Sequence, residues 1–163
     1  MIDRRTLLLG GVGALAVVAG LSMRASPTRA KGSFAVSMSE DEWRKKLTAE
    51  QYNVLRESGT EYPFTSALND EHRTGLFTCA GCEQALFDSK TKFDSGTGWP
   101  SFYAPIDKAV DTEDDSSLGM VRVSVHCSNC GGHLGHVFED GPKPTGLRYC
   151  INGVAMTFKP VAA

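Results

Sequence analysis

Five cysteines divide into two C-x-x-C pairs and one isolated residue, which indicates two kinds of sulfur chemistry. The pairs are Cys79 with Cys82 and Cys127 with Cys130, whereas Cys150 stands alone in the segment RYCING. Two such pairs supply four thiolates, which suits a tetrahedral Zn²⁺ with Zn–S bonds of about 2.3 Å. The spacing therefore predicts one structural zinc ion per chain and leaves Cys150 as a candidate nucleophile.

Two other interpretations of the pairs stay open, disulfide bonds and a redox-active C-x-x-C. A redox pair usually begins a helix in a βαβ unit, whereas each pair here lies between short β-type runs. The sequence thus favours two zinc knuckles, each at the tip of its own hairpin, separated by 44 residues. The flanking runs are 76–78 and 85–87 for the first pair, and 121–126 and 137–138 for the second.

The segment around Cys150 predicts a reactive thiol. If the chain is extended there, Arg148, Cys150 and Asn152 point to one face because strand side chains alternate. A guanidinium next to a thiol favours the thiolate and lowers its pKa, and Asn152 offers a hydrogen bond beside the sulfur. The alternative is an inert, buried cysteine, but two polar neighbours on the same face speak against a dry core.

Two histidines and a tryptophan in glycine-rich segments are further candidates. His133 and His136 follow the second knuckle in CGGHLGHVFED, where they could donate protons near neutral pH. Surface histidines or zinc ligands are the alternatives, although four thiolates already complete a metal site. Trp99 lies between glycines and a proline in GTGWPS, which predicts a loop and favours a ligand wall over a core position.

The elements that must hold these residues are mostly short strands. Two capping-box sequences, starting at Ser39 and Thr48, predict helices over about 40–46 and 49–58. Further along, β-rich runs alternate with Gly, Pro, Asp and Ser, and the acidic stretch 111–119 is expected to be an exposed loop. The predicted fold is mainly β, a compact antiparallel β-sheet domain with short N-terminal helices. The expected strands are 75–78, 85–87, 121–126, 136–139 and 147–158.

Length and charge limit the class of protein. The 163 residues suffice for one domain, expected over 31–163. Residues 1–30 have the three parts of an export signal, and Arg4 and Arg5 resemble a twin-arginine motif. The apolar run of about 15 residues is shorter than the roughly 20 of a membrane-spanning helix, so no stable anchor is expected. Without residues 1–30 the chain has 13 basic and 18 acidic side chains, which argues against nucleic acid as a partner.

Four motifs in this order resemble a known family of enzymes. A C-x-x-C, KFDSGTGWPSF, a C-x-x-C followed by GGHLGHVFEDGP, and RYCING are similar to the methionine-R-sulfoxide reductases of the B type, from about Glu42 to Lys159. The resemblance implies a rolled antiparallel β fold with a structural zinc ion. It also implies reduction of methionine-R-sulfoxide in oxidised proteins, which repairs an oxidative lesion.

The resemblance implies a role for each candidate residue. Cys150 would attack the sulfoxide sulfur and become a sulfenic acid as methionine leaves. Trp99 and Phe138 would bind the substrate, with Trp99 walling the pocket for its S-methyl group. The sulfoxide oxygen would be bound or protonated by His133, His136 and Asn152, and Arg148 would be the cationic neighbour of the nucleophile.

One position departs from the family pattern. Many members have a resolving cysteine where this chain has Thr97, which predicts a one-cysteine form reduced directly by a small thiol or a thioredoxin-like protein. We expect a monomeric protein outside the cytoplasm, for example in the periplasm. The alternatives are a non-catalytic zinc-knuckle binding module, in which Cys150 is dispensable, and a thiol–disulfide oxidoreductase without zinc.

Overall fold

The computed structural model describes residues 33–119 and 121–161, so the predicted export signal at 1–30 lies outside the described residues. Within these ranges no helix has the length and apolar character needed to cross a membrane. Two α-helices, α1 (Glu40–Lys46) and α2 (Ala49–Glu57), precede the sheets. The strands are β1 (Gly75–Cys79), β2 (Ala85–Asp88), β3 (Lys92–Phe93), β4 (Ser101–Phe102), β5 (Val110–Asp115), β6 (Arg122–Cys127), β7 (His133–Phe138), β8 (Arg148–Ile151) and β9 (Met156–Pro160).

Both helices begin where the capping boxes predict. The Ser39 side chain accepts from the N–H of Glu42 and the Glu42 carboxylate accepts from the N–H of Ser39, and Thr48 and Gln51 repeat the arrangement. Helix α2 ends one residue earlier than expected, because Ser58 rather than Gly59 adopts the left-handed conformation. The buried side chains Trp43, Tyr52, Val54 and Leu55 attach the helices to the core.

Two antiparallel sheets form the body of the protein, which confirms the predicted mainly β fold. The smaller has the strand order β2-β1-β9 and the larger has the order β3-β4-β8-β7-β6-β5. Three phenylalanines join them: the Phe102 ring on β4 lies 4.9 Å from that of Phe77 on β1 and 4.3 Å from that of Phe87 on β2, centre to centre. All three are fully buried, and the burial of each ring contributes about 1.5–3 kcal/mol to the free energy of folding.

Two stretches differ from the sequence prediction. The expected loop at 111–119 contains strand β5, which pairs with β6 from Val110 to Asp115. It is an edge strand whose outer side faces solvent, so acidic side chains are tolerated there. Because such side chains are typical of loops, the sequence pattern does not indicate a strand. The expected single strand 147–158 is two strands in different sheets, because the chain forms a short 3₁₀ turn at Gly153–Ala155 between β8 and β9.

Candidate active site and cysteine cluster

One row of paired residues across the larger sheet contains the candidate nucleophile. Cys150 on β8 is paired with His136 on β7 and with Ser101 on β4, and His136 is paired in turn with Ser124 on β6. Residues directly opposite each other in antiparallel strands have side chains on the same face. The register therefore places the Cys150 thiol between a hydroxyl and an imidazole, with a second hydroxyl one strand further on.

A β-bulge brings the second histidine to the same face. The β6–β7 register runs from Val125↔Gly135 to His126↔His133 and so passes over Leu134. Without this extra residue, His133 and His136 would point to opposite faces because their spacing is odd. With it, the two imidazole rings lie 5.3 Å apart, centre to centre. The predicted pair is thus brought together by a feature that strand alternation alone does not predict.

Glycine at 135 allows β7 to approach β8, the strand of Cys150, at the bulge. A Cβ atom at that position would lie 2.1 Å from the carbonyl oxygen of Cys150, and the obstacle is backbone that cannot turn aside. Any side chain there would separate β7 from β8. Gly135 therefore keeps β7 close to β8, the strand that contains Cys150.

The Cys150 thiol is half-buried, and its sulfur lies 3.9 Å from the hydroxyl oxygen of Thr97. Burial raises the pKa of this thiol, although the Thr97 hydroxyl and the positive charge of Arg148 act in the opposite direction. The pKa lowering expected from the sequence is therefore wrong as a net effect. Arg148 does favour the thiolate, but desolvation outweighs it.

Arg148 is held in place by two partners. Its guanidinium donates to both carboxylate oxygens of Asp140, each at 2.9 Å, and lies 4.5 Å from the centre of the Phe138 ring. The carboxylate compensates part of the positive charge, and its own charge raises the pKa of Cys150. Asp140 is a site residue that sequence reasoning missed, and its position eight residues before Arg148 gave no periodic signal.

His136 contacts a charged pair whose shared centre is the carboxylate of Asp115. Its Nε2 lies 2.8 Å from Oδ2 of Asp115, and Arg122 donates to the same oxygen at 2.7 Å. Burial opposes ionisation of Asp115, but hydrogen bonds from Ser117 and His136 and the charge of Arg122 hold its pKa well below the usual range. A carboxylate only accepts, so Nε2 of His136 has the proton. Burial lowers the pKa of His136 despite this partner, which favours the neutral ring.

His133 is deeper and lacks a charged partner. It is 2% exposed, and burial lowers its pKa to about 3, so the ring is neutral throughout the physiological range. Its Nδ1 lies 3.0 Å from the Ser124 hydroxyl, which also lies 2.9 Å from Nε2 of His126. One hydroxyl proton between two rings couples their tautomers. The other nitrogen of His133, Nε2, is buried and has no partner among the described residues, which leaves it available to a ligand.

Asn152 lies directly after the last residue of β8. Strand β8 ends at Ile151, and the Asn152 side chain is 3% exposed. Its amide nitrogen donates to the carbonyl of Leu134 at 2.9 Å, and its oxygen accepts from the N–H of Glu61 at 3.0 Å. Asn152 keeps an extended backbone directly after β8, before the 3₁₀ turn that begins at Gly153, and its place on the strand face of Arg148 and Cys150 stays a prediction.

Trp99 is in a loop, as predicted, and its indole N–H donates to the carbonyl of Glu61 at 3.2 Å. The ring borders a cavity of about 210 Å³, together with Phe64 and Pro100. Glu61 thus contacts both Trp99 and Asn152. Sequence reasoning missed it, and the only available signal was a carboxylate within the proline- and aromatic-containing segment 60–65.

The four paired cysteines form a cluster that fits a metal ion. Their sulfur atoms all lie within 4.8 Å of one another, with 3.7 Å between Cys79 and Cys130 and 3.5 Å between Cys82 and Cys127. Zn–S bonds of about 2.3 Å in a tetrahedron require S–S distances of about 3.8 Å, whereas a disulfide bond is about 2.05 Å long. The set of four sulfur donors and its dimensions suit zinc, as predicted.

Each C-x-x-C occupies a hairpin turn, the first between β1 and β2 and the second between β6 and β7. The two turns have the same type of hydrogen bond: the carbonyl of Cys79 accepts from the N–H of Glu83, and that of Cys127 accepts from the N–H of Gly131. Because β1 and β6 are in different sheets, an ion at the cluster would connect the two sheets.

Comparison with known proteins agrees with this geometry. The SelR domain family matches residues 47–160. A relative named peptide methionine sulfoxide reductase MsrB from Agrobacterium fabrum is 57% identical over 127 residues, which are 77% of this chain and 94% of the relative. A protein with the same name from Pseudomonas putida strain W619 is 60% identical over 121 residues, which are 74% of this chain and 91% of the relative. One from Methanosarcina barkeri is 59% identical over 126 residues, which are 77% of this chain and 89% of the relative.

Proposed function

Because this chain belongs to the SelR-domain family, that of the peptide methionine sulfoxide reductases MsrB, we propose that it reduces methionine-R-sulfoxide in oxidised proteins to methionine. The observation that carries the proposal is the strand register in which the bulge of β7 places buried His133 and half-buried His136 on the face of the Cys150 thiol. A soft nucleophile beside neutral imidazoles suits a substrate with an electrophilic sulfur and an oxygen that must gain a proton to leave.

The reaction balances with Cys150 alone. The Cys150 sulfur attacks the sulfoxide sulfur to form an S–S bond, and the protonated oxygen leaves as water when the S–O bond breaks. Water then attacks the Cys150 sulfur, the S–S bond breaks with its electron pair going to methionine, and Cys150 becomes a sulfenic acid. The substrate sulfur gains two electrons and the cysteine sulfur loses two. His133 or His136 accepts the proton that Cys150 loses and passes it to the departing oxygen, so the ring has the same protonation state before and after the step.

The remaining side chains bind and orient the substrate. The rings of Trp99 and Phe138 provide apolar surface for the S-methyl group. The partnerless Nε2 of His133, and the amide of Asn152 that donates to the carbonyl of the bulge residue Leu134, are the polar groups that bind the sulfoxide oxygen. Arg148 stabilises the attacking thiolate, which supports the reaction although burial opposes ionisation of this thiol.

Recycling requires a thiol from outside the chain. Thr97 lies against Cys150 but has no sulfur, and the other four cysteines belong to the cluster, where they would hold one zinc ion that stabilises the fold. A small thiol or a thioredoxin-like protein attacks the sulfenic acid, water leaves, and a second thiol releases Cys150 from the mixed disulfide. After one turnover without reductant, mass spectrometry should find one added oxygen on Cys150 and no loss of zinc.

The decisive experiment measures zinc content and sulfoxide reduction together. The wild-type protein should contain one zinc ion and reduce the R epimer with dithiothreitol, and Cys150→Ser should retain zinc but have no activity. Equal rates on the R and S epimers would contradict the chiral pocket. Zinc without activity in the wild type would indicate a binding module, and activity that depends on a C-x-x-C disulfide without zinc would indicate a thiol–disulfide oxidoreductase.

The proposed site of action rests on residues 1–30. Arg4 and Arg5 before an apolar run support a twin-arginine-type signal, removed to leave a domain over 31–163 that acts outside the cytoplasm. Replacing both arginines by lysine should retain the precursor in the cytoplasm. Unchanged export of that variant would contradict the twin-arginine route.

A further inference from the structure

Glu61 connects two walls of the candidate site through its main chain. Its carbonyl oxygen accepts from the indole N–H of Trp99 at 3.2 Å, and its N–H donates to the side-chain oxygen of Asn152 at 3.0 Å. Trp99 is in the loop before β4, and Asn152 directly follows β8, so the two lie 53 residues apart in sequence. The main chain of one residue therefore fixes the position of the tryptophan relative to the amide.

The carboxylate of Glu61 holds this main chain in place. It accepts from the N–H groups of Gly153 and Val154, the latter at 2.9 Å. These are the first two residues of the 3₁₀ turn Gly153–Ala155, so their N–H groups have no partner within the turn. The carboxylate thus acts as a cap supplied by a distant segment.

The fit between the two segments is close. A Cβ atom at Gly153 would lie 1.9 Å from the hydroxyl oxygen of Ser66 and 3.4 Å from Oε1 of Glu61. Burial raises the pKa of Glu61, while the two main-chain donors favour its ionised form. Among the described residues the Glu61 carboxylate forms no ion pair. Its role therefore depends on direct hydrogen bonds and not on a neighbouring cation.

We propose that Glu61 is a positioning residue, whose side chain fixes the distance between Trp99 and Asn152 in the substrate pocket. The inference rests on the proposed function, in which Trp99 faces the methyl group and Asn152 belongs to the polar side. A chiral sulfoxide is recognised only if these walls are held at one separation. Misplacement of a binding group by about 1 Å can cost on the order of a hundredfold in rate.

Steady-state kinetics on Glu61→Gln test this role. The glutamine has the same shape but offers one oxygen to two N–H donors and turns an N–H₂ towards one of them. We expect kcat/KM for the R epimer to fall roughly ten- to a hundredfold and the preference for R over S to narrow. Glu50→Gln is the matched control. Glu50 and Glu61 border the same cavity, of about 630 Å³, and the Glu50 variant should keep the wild-type kcat/KM and epimer preference.

Nuclear magnetic resonance gives a second measurement that does not depend on activity. The sequence has two tryptophans, so an ¹⁵N-labelled sample has two indole N–H signals, assigned with Trp99→Phe. In Glu61→Gln the Trp99 signal should shift and exchange faster with water, while that of buried Trp43 should stay unchanged. Glu61→Asp keeps the charge with a shorter reach and should give intermediate values in both measurements.

The outcomes separate this inference from the proposed function. An unchanged Trp99 signal together with unchanged epimer preference in Glu61→Gln would overturn the positioning role. If Glu61→Gln does not fold, Glu61→Asp decides: a wild-type Trp99 signal and preference in that variant would overturn the role. If the wild-type protein reduces neither epimer, the proposed function fails, whereas the Trp99 signal still shows whether Glu61 fixes the indole.

Discussion

The hydroxyl oxygen of Thr97 lies 3.9 Å from the sulfur of Cys150, although the two residues are 53 positions apart in the sequence. The contact joins the Trp99 loop to strand β8, and Thr97 is further held by the hydroxyl of Ser95 at 2.8 Å. The side chain at position 97 therefore lies against the Cys150 sulfur. In this chain that side chain has no sulfur, so it favours the thiolate but cannot form a disulfide with it.

Thr97→Cys should install a resolving thiol. The Thr97 hydroxyl oxygen lies 3.9 Å from the Cys150 sulfur, so a sulfur near its position would have to move only about 2 Å to reach the length of a disulfide bond. After one turnover without reductant, the variant should form a disulfide between the introduced thiol and Cys150, seen as a loss of two hydrogens by mass spectrometry, with zinc retained. Ser95→Cys is the control, because Ser95 contacts Thr97 and Ser101 and should give no disulfide. A stable sulfenic acid in Thr97→Cys would contradict the prediction.

Arg148 and Asp140 should shift the pKa of the Cys150 thiol in opposite directions. Burial raises the pKa of Cys150, the charge of Arg148 lowers it, and the charge of Asp140 raises it. The thiolate forms only above the thiol pKa, so reactivity should increase with pH. Arg148→Met should move the half-maximal rate of Cys150 alkylation to higher pH, and Asp140→Asn should move it to lower pH.

The alkylation is measured with iodoacetamide by mass spectrometry of the Cys150 peptide, so the four clustered cysteines do not interfere. Leu147, next to Arg148 in sequence, provides a control, because Leu147→Met adds no charge at the site. Shifts of the same sign in Arg148→Met and Asp140→Asn would show that packing and not charge determines the thiol pKa.

Ser124→Ala should affect both stability and turnover. The Ser124 hydroxyl forms hydrogen bonds with the imidazoles of His126 and His133, and its loss leaves two buried ring nitrogens without a partner. Each unsatisfied buried group costs about 1–3 kcal/mol, so denaturant unfolding should show a loss of that order. The rate should also fall, since His133 loses the bond that fixes its ring. Ser124→Thr retains the hydroxyl and should recover most of the rate; an unchanged kcat in Ser124→Ala would confine the hydroxyl to a structural role.

Local sequence signals predicted the local structure well. The capping boxes at Ser39 and Thr48 and the hairpin positions of both C-x-x-C pairs are short-range patterns, and each is present. The assignment of Cys150, the two histidines and Trp99 as site residues relied on motifs and remains a prediction. Their arrangement depends on register, and the passage over Leu134 that aligns His133 with His136 has no short-range signal.

Contacts between distant segments were not predictable from pattern. Glu61 reaches Asn152 and Trp99 from a segment that is neither helix nor strand, and Asp115 reaches His136 from an edge strand whose acidic sequence is typical of a loop. The net pKa of Cys150 depends on burial, which the sequence does not measure, whereas the direction of the Arg148 effect follows from charge alone.

Replacing a cysteine of the cluster by serine should unfold the domain, whereas replacing Cys150 by serine should not. Cys130 is 2% exposed, and with Cys79 it spans the two sheets, so its replacement would remove a zinc ligand and a link between them. Structural zinc contributes on the order of 10 kcal/mol to folding in small domains, which exceeds the stability of many single domains. Cys130→Ser should therefore lose zinc and the circular dichroism of a folded protein.

Cys150→Ser is the control, because it makes the same chemical change outside the cluster. This variant should keep the zinc and melt within a few degrees of the wild type. A folded, zinc-free Cys130→Ser protein would show that packing of the two sheets alone maintains the fold.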